Sequence, residues 1–389
     1  VLAFLTPALV LARPAPTAAP VSIVAAASST TLSAAPLPPA PPIDARAYMV
    51  ENPVTGDVLA SKNADAQLPI ASLTKLMTVD VALHHLSIDR YITVSAAAAE
   101  VGEESAGLRA GEQILVGDLV EAALIQSAND AADALADAAS NGNRALFASW
   151  MNAEARTLGL THTHFVRPDG LDAPDHYSSA RDITRLARAV MGLSAVRQAV
   201  KTSSTTISGG RTLTAWNDLL GVYPGVVGVK TGHTDDAGWC QVTLLERDGV
   251  QVYVTILGAP TRERRNHDIT ALLDYARSRY RSIELVTAHD PLGQVKTEYG
   301  GPAVPVAASR SLKLPVRVDR PLTEKIVLPR TLSLPVSKGA RVGEVRVYSK
   351  GRVVGRRELV AMRSVSKRGL FGKLGWYGGQ TIQNLFGWI

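Results

Sequence analysis

The sequence predicts a layered α/β (α+β) domain, then a small all-β domain and an amphipathic C-terminal helix. Three observations predict this order. Strand-like runs stand at both ends of residues 43–285 with helical patterns between them. Short alternating runs broken by Pro and Gly fill 286–363. Residues 364–389 carry an apolar stripe at helical spacing.

Taken in order, residues 1–42 form a leader and linker. "VLAFLTPALVLA" is an uncharged apolar run, too short to span a bilayer and suited to the core of a secretory signal. "VLA" at 10–12 and "AAA" at 25–27 are candidate cleavage sites. Between Arg13 and Asp44 there is no charge and there are eight prolines, the composition of a disordered tether.

"AYMVENPVTGDVLASKN" reads as two short strands around a Pro/Gly turn. In "ASLTKLMTVDVAL", Leu73, Leu76, Met77 and Leu83 fall near helical spacing, with Ser72 placed as an N-cap. Lys75 is the exception, because the first turn of a helix disfavours a cation. "GDLVEAALIQSANDAADALADAA" is helical on both sides of "QSAN", with Asp118 and Glu121 spaced as a capping box. "GVVGVKTG" is β-branched and ends at a glycine, and "GWCQVTLLER" and "GVQVYVTILGA" follow as strands. "NHDITALLDYARSRY" closes the domain as a helix, with apolar residues at 269, 272, 273, 276 and 280. No repeat of fixed period is present.

Composition narrows the partners. With 389 residues, 46% hydrophobic and 20% charged, the chain has the balance of a soluble globular protein. The net charge of +6 hides an asymmetry: residues 301–389 hold 17 Lys/Arg against 4 Asp/Glu, leaving 24 against 31 in the rest. A basic C-terminal third without a nucleic-acid motif points to an anionic membrane surface and no nucleic acid. Cys240 is alone, so neither an internal disulfide nor a cysteine metal site can form, and beside Trp239 it reads as a small buried residue. "HTH" at 162–164 lacks further clustered ligands and reads as a loop feature.

An i, i+3 Ser72–Lys75 pair shares one helix face, so the hydroxyl and the amine can touch. A serine beside a lysine held neutral by burial is an activated nucleophile. Two further motifs follow in sequence: "SAN" at 127–129 and "KTG" at 230–232. In this order the three match the active-serine, penicillin-recognising enzymes. The wider wording, "ASLTKLMT", "SANDAADALA", "RPDGLD", "WNDLL" and "GVVGVKTGHTDDAGWC", resembles the D-alanyl-D-alanine carboxypeptidases, the low-molecular-mass penicillin-binding proteins. The resemblance covers about 43–363 and extends to an amphipathic tail. "GVVGVKT" is no phosphate loop, because Val229 occupies the position where that motif needs glycine.

The resemblance implies a β-lactamase/transpeptidase-like fold. It also implies hydrolysis of the bond between the two terminal D-alanines of a peptidoglycan stem peptide, with β-lactam antibiotics as covalent inhibitors and no metal or organic cofactor. Ser72 would be the nucleophile, Lys75 its proton acceptor and Ser127 the relay to the leaving amine. Lys75 would be kept unprotonated by burial and by nearby Lys230. Asn129 would hold Lys75 and the substrate amide, while Lys230 and Thr231 would bind the terminal carboxylate. Gly232 would let substrate approach the strand, and the N–H groups of Ser72 and His233 would form the oxyanion hole. The family implies an extracytoplasmic enzyme held peripherally on the outer face of the cytoplasmic membrane.

Three alternatives stand beside this. A serine β-lactamase uses a glutamate to activate its deacylating water, whereas the corresponding stretch here offers Asp169. An endopeptidase or transpeptidase shares the acyl-enzyme. A non-catalytic wall-binding protein shares the fold, but intact Ser72, Lys75, Ser127 and Lys230 argue against it.

Overall fold

The structure is a computed structural model that describes residues 39–367 and Trp376. The chain divides into two compact units, Pro36–Arg281 and a second that takes up at Ser282. The division falls inside the strand Tyr280–Val286.

The first unit is built on a five-stranded sheet. Its strands are β1 (Ala47–Asn52), β2 (Asp57–Lys62), β3 (Val226–Thr234), β4 (Gly238–Arg247) and β5 (Val250–Ala259). They lie in the order β2-β1-β5-β4-β3. Every pairing is antiparallel, so the domain takes the α+β form. The β1–β2 turn closes on Asn52, whose Oδ1 accepts the Val54 and Thr55 N–H groups at 2.9 and 3.1 Å.

Side-chain alternation along each strand sets the layers. From β1, Ala47 and Met49 join one buried cluster with Leu76, Leu135 and Ile183. Tyr48 and Val50 join another with Ile269, Leu272, Leu273 and Ala276. Helices α1 (Lys75–His85), α2 (Asn129–Ser140) and α3 (Ala180–Val190) supply the first cluster, and α4 (Arg262–Ser278) supplies the second. Each buried Leu or Met side chain contributes roughly 1.5–3 kcal/mol. A one-residue register slip would therefore exchange the two faces at large cost.

Three local expectations differ from what the tertiary structure imposes. Ser72 is not an N-cap: it lies inside a 3-10 turn, Ala71–Thr74, and α1 starts at Lys75. Its hydroxyl is taken by Lys75 instead of a backbone N–H. The Asp118–Glu121 capping box does not form, because the helix Val116–Glu121 starts earlier, with Leu115 at its N-cap. Asp118 instead accepts the Ser208 N–H at 3.2 Å. Tyr280 lies beyond the end of α4 and begins a strand.

The second unit is all-β. Its six-stranded sheet runs Leu322–Val327, Arg341–Ser349, Arg352–Ala361, Val304–Ala308, Pro291–Thr297 and Thr331–Leu332. A second pair, Tyr280–Val286 with Leu312–Arg317, accompanies it. Val295, Val306, Leu322, Val345, Val347 and Leu359 form its core. Of the expected terminal helix, Trp376 is described; its ring meets Tyr299 edge-on, with centroids 5.8 Å apart. The leader and most of the tail lie outside the described residues. Among the described residues, no helix is long and apolar enough to cross a membrane.

Candidate active site

Three stretches of the chain bring two serines and two lysines together. The Ala71–Thr74 turn presents Ser72, and the first residue of α1 is Lys75. After Glu121 the helix widens into a π-helical turn, Ala122–Gln126, that stops at Ser127 in a left-handed conformation (φ 71°). Such turns interrupt a helix where a side chain must be re-aimed. Two residues later α2 starts at Asn129, and β3 carries Lys230 through His233.

Lys75 Nζ donates to Ser72 Oγ at 2.8 Å, to Asn129 Oδ1 at 2.7 Å and to the Asp169 carbonyl at 2.6 Å. Those three acceptors satisfy an ammonium. In the neutral amine the Ser72 contact reverses, and the hydroxyl donates to the nitrogen lone pair. Lys230 Nζ donates to Ser127 Oγ at 2.7 Å and to the Thr231 carbonyl at 2.9 Å. The site is thus two Ser–Lys pairs, with Asn129 on the first.

Burial controls both amines. Lys75 is fully buried, and loss of solvation brings its ammonium down to about 8, against the opposing fields of Asp169, Asp133, Glu103 and Glu104. Burial lowers Lys230 well below the usual lysine value, and the charge of Lys75 lowers it further. Of the two causes expected for the Lys75 shift, burial and Lys230, burial is the one that dominates. Asp169 is drawn up by burial, but the Arg167 guanidinium (2.6 and 2.7 Å) and the Leu171 N–H (2.9 Å) hold it below its ordinary value.

Gly232 has a packing reason besides the substrate approach expected of it. A Cβ there would lie 2.9 Å from Ser72 N and 3.1 Å from the Ile70 carbonyl. The glycine lets β3 close on the turn that carries Ser72. Asn129 commits one N–H to the Gly102 carbonyl at 3.0 Å, leaving the other for a ligand.

Ser72, Ser127, Asn129, Thr231, Gly232 and His233 line one cleft. Lys75 and Lys230 stand behind it, each bonded to the serine in front. Sequence reasoning missed Glu103, Glu104, Leu171, Trp216, Trp239 and Arg265, which line the same cleft. "WNDLL" was the available signal for Trp216. Its neighbour Asp218 accepts Arg265 Nη2 at 2.7 Å and both Nε and Nη2 of Arg262 on α4, so this stretch braces the helix that carries Arg265. Burial lowers Arg265 to about 10, a guanidinium that remains charged at neutral pH. Nothing local marked Glu103 or Glu104. Asp133, also missed, is a buried carboxylate one turn beyond Asn129, raised to about 7 by burial and by Asp169 against Arg144.

Antiparallel sheet, buried Ser–Lys pair and a second Ser–Lys pair across one cleft define the class of active-serine, penicillin-recognising hydrolases. Residues 33–261 match the family model described as D-alanyl-D-alanine carboxypeptidase, and 280–367 match that of the penicillin-binding protein 5 C-terminal domain. The chain belongs to the D-alanyl-D-alanine carboxypeptidase family and is a serine-type peptidase. It is 31% identical to D-alanyl-D-alanine carboxypeptidase DacD of Salmonella typhimurium, over 90% of this chain and 94% of that one. Carboxypeptidase DacD of Francisella tularensis superposes with a TM-score of 0.61 at 26% identity, over 85% of this chain and 96% of that one. Penicillin-binding protein D2 of Listeria monocytogenes, solved in an ampicillin-bound form, gives 0.56 at 33% identity, over 61% and 99%.

Proposed function

We propose that this serine peptidase removes the terminal D-alanine of peptidoglycan stem pentapeptides through an acyl-enzyme on Ser72. The observation that carries the reading is the 2.8 Å contact between Lys75 Nζ and Ser72 Oγ inside a fully buried lysine environment. A lysine lowered to about 8 is in part neutral at physiological pH and can take the serine proton as the hydroxyl attacks. Ser127, bonded to Lys230, passes a proton to the departing D-alanine amine. The N–H groups of Ser72 and His233 stabilise the oxyanion, and water then hydrolyses the ester.

Thr231 and the positive field of Lys230 recognise the substrate carboxylate. An arriving carboxylate favours the charged form of Lys230, and that charge in turn favours neutral Lys75. Substrate binding would therefore prime the base. Asn129 offers its remaining N–H to the substrate amide. β-Lactams mimic the D-alanyl-D-alanine end and acylate the same serine.

We also propose that residues 364–389 hold the enzyme on an anionic membrane face after export. The supporting features are Lys367, Arg368 and Lys373 near the start of the segment and the apolar Leu370, Phe371, Leu374, Ile382, Leu385, Phe386 and Ile389. Trp376, Tyr377 and Trp388 suit the interface, although the contact of Trp376 with Tyr299 ties that ring to the β unit.

Labelling with a fluorescent penicillin tests the reading. Ser72→Ala should lose both the label and D-alanine release. A Ser72→Ala protein that still labels would remove Ser72 from the role.

A further inference from the structure

Ala71, which precedes the proposed nucleophile, has a left-handed backbone with φ 50°, a region that non-glycine residues rarely occupy. Something must hold it there. Its carbonyl accepts Thr74 Oγ1 at 2.8 Å. Thr74 Oγ1 in turn lies 2.8 Å from His176 Nε2, and His176 Nδ1 accepts the Val166 N–H at 3.1 Å.

The proton positions follow. Because Nδ1 is an acceptor, the ring is neutral and carries its hydrogen on Nε2. Nε2–H therefore donates to Thr74, and the Thr74 hydroxyl hydrogen is left for Ala71. Burial pushes His176 down to about 4, so this arrangement persists at neutral pH. Thr74 is fully buried and His176 nearly so. The three bonds form a relay with one direction, from Val166 through His176 and Thr74 to Ala71.

A peptide group is planar, so the Ala71 carbonyl and the Ser72 N–H point in opposite directions within one rigid unit. Fixing the carbonyl aims the amide. The packing around the unit is equally tight. A Cβ on Gly170 (φ +85°) would lie 2.2 Å from the Ala71 oxygen and 2.8 Å from Thr74 Oγ1. On the other side, a Cβ on Gly232 would lie 2.9 Å from Ser72 N.

We infer that His176 and Thr74 are positioning residues that hold the Ala71–Ser72 peptide group with the Ser72 N–H aimed into the cleft as an oxyanion donor. The inference rests on the proposed role of that N–H. It adds two residues that touch neither substrate nor nucleophile.

The test uses the full chain and a penicillin. It measures the dissociation constant of the non-covalent complex, the acylation rate constant, and the infrared frequency of the acyl carbonyl. Thr74→Val removes the hydroxyl at nearly constant shape. It should lower the acylation rate constant by about 10- to 100-fold, leave the dissociation constant within about twofold, and raise the carbonyl frequency as the donor is lost. Thr74→Ser should restore the rate constant and the carbonyl frequency. His176→Gln keeps a donor near the Nε2 position and should retain most of the rate. His176→Asn keeps the acceptor near Nδ1 but loses that donor, and should resemble Thr74→Val. The two histidine variants decide the matter if Thr74→Val does not fold.

A normal carbonyl frequency in folded Thr74→Val or His176→Asn would overturn the inference, even if the rate fell. A wild-type acyl carbonyl at the frequency of a free ester in water would instead overturn the oxyanion role of Ser72 N–H, and the inference with it.

Discussion

Lys230 Nζ donates to Ser127 Oγ at 2.7 Å from a position almost wholly closed to solvent. The second lysine of the site therefore stands behind a serine, as Lys75 stands behind Ser72. An amine so placed, charged once a carboxylate arrives, would act on that ligand through its field and through the hydroxyl in front of it. Replacing the terminal carboxylate of the substrate by an amide should then cost roughly 2–5 kcal/mol of transition-state binding. Comparing kcat/KM for D-alanyl-D-alanine peptides with free and amidated ends checks this, and equal values would refute it.

Acylation should depend on pH through Lys75. With Lys75 as the proposed base the neutral amine is the active form, so the rate should rise as pH passes the free-enzyme value of about 8. Two pH units below that midpoint the acylation rate should be about 100-fold under its plateau. Penicillin acylation measured between pH 5.5 and 9.5 reads the curve directly. Lys75→Arg keeps the charge but cannot deprotonate, and its acylation should fall by at least about 1,000-fold.

Asp133 should tune that curve. It is buried beside Asp169, Asp137, Arg144 and Arg167, with Arg144 Nη1 at 2.5 Å, and its negative charge raises Lys75. Asp133→Asn removes that field, so the acid limb of the acylation profile should move about 0.5–1 pH unit lower. An unmoved limb in a variant of unchanged melting temperature would show that the two groups are not linked.

Gly232→Ala should damage chemistry more than folding. The added methyl would meet Ser72 N and the Ile70 carbonyl at 2.9 and 3.1 Å, both backbone atoms. Either β3 or the serine-bearing turn must then shift, and a misplacement of about 1 Å can cost about 100-fold in rate. Acylation kinetics alongside a thermal melt separate the two effects.

Deleting residues 364–389 should leave carboxypeptidase activity intact and release the enzyme from vesicles rich in anionic lipid. Co-sedimentation at low and high salt measures it, since attraction between basic residues and lipid weakens with screening. A truncated protein that pellets as fully as the whole chain places the attachment elsewhere.

What the sequence determined by itself was the set of side chains that meet at the candidate site and the class of the fold. Ser72, Lys75, Ser127, Asn129 and Lys230 lie in short motifs whose order survives in a linear string, and strand and helix periodicities are local properties. The strands flanking the helices were legible for the same reason, down to the β1–β2 hairpin. Tertiary structure decided how these groups are used. Whether Ser72 caps a helix or sits in a 3-10 turn depends on Gly170 and Gly232, which press on that turn from segments roughly 100 and 160 residues away. Which effect lowers Lys75 depends on burial, and burial is set by how layers stack. Glu103, Asp133, His176 and Arg265 carry no local signature, because their effects act through space on residues distant in the chain. A hydrogen bond or a field joins whatever the fold makes adjacent, and adjacency across a layered core is the one property that periodicity along the chain does not encode.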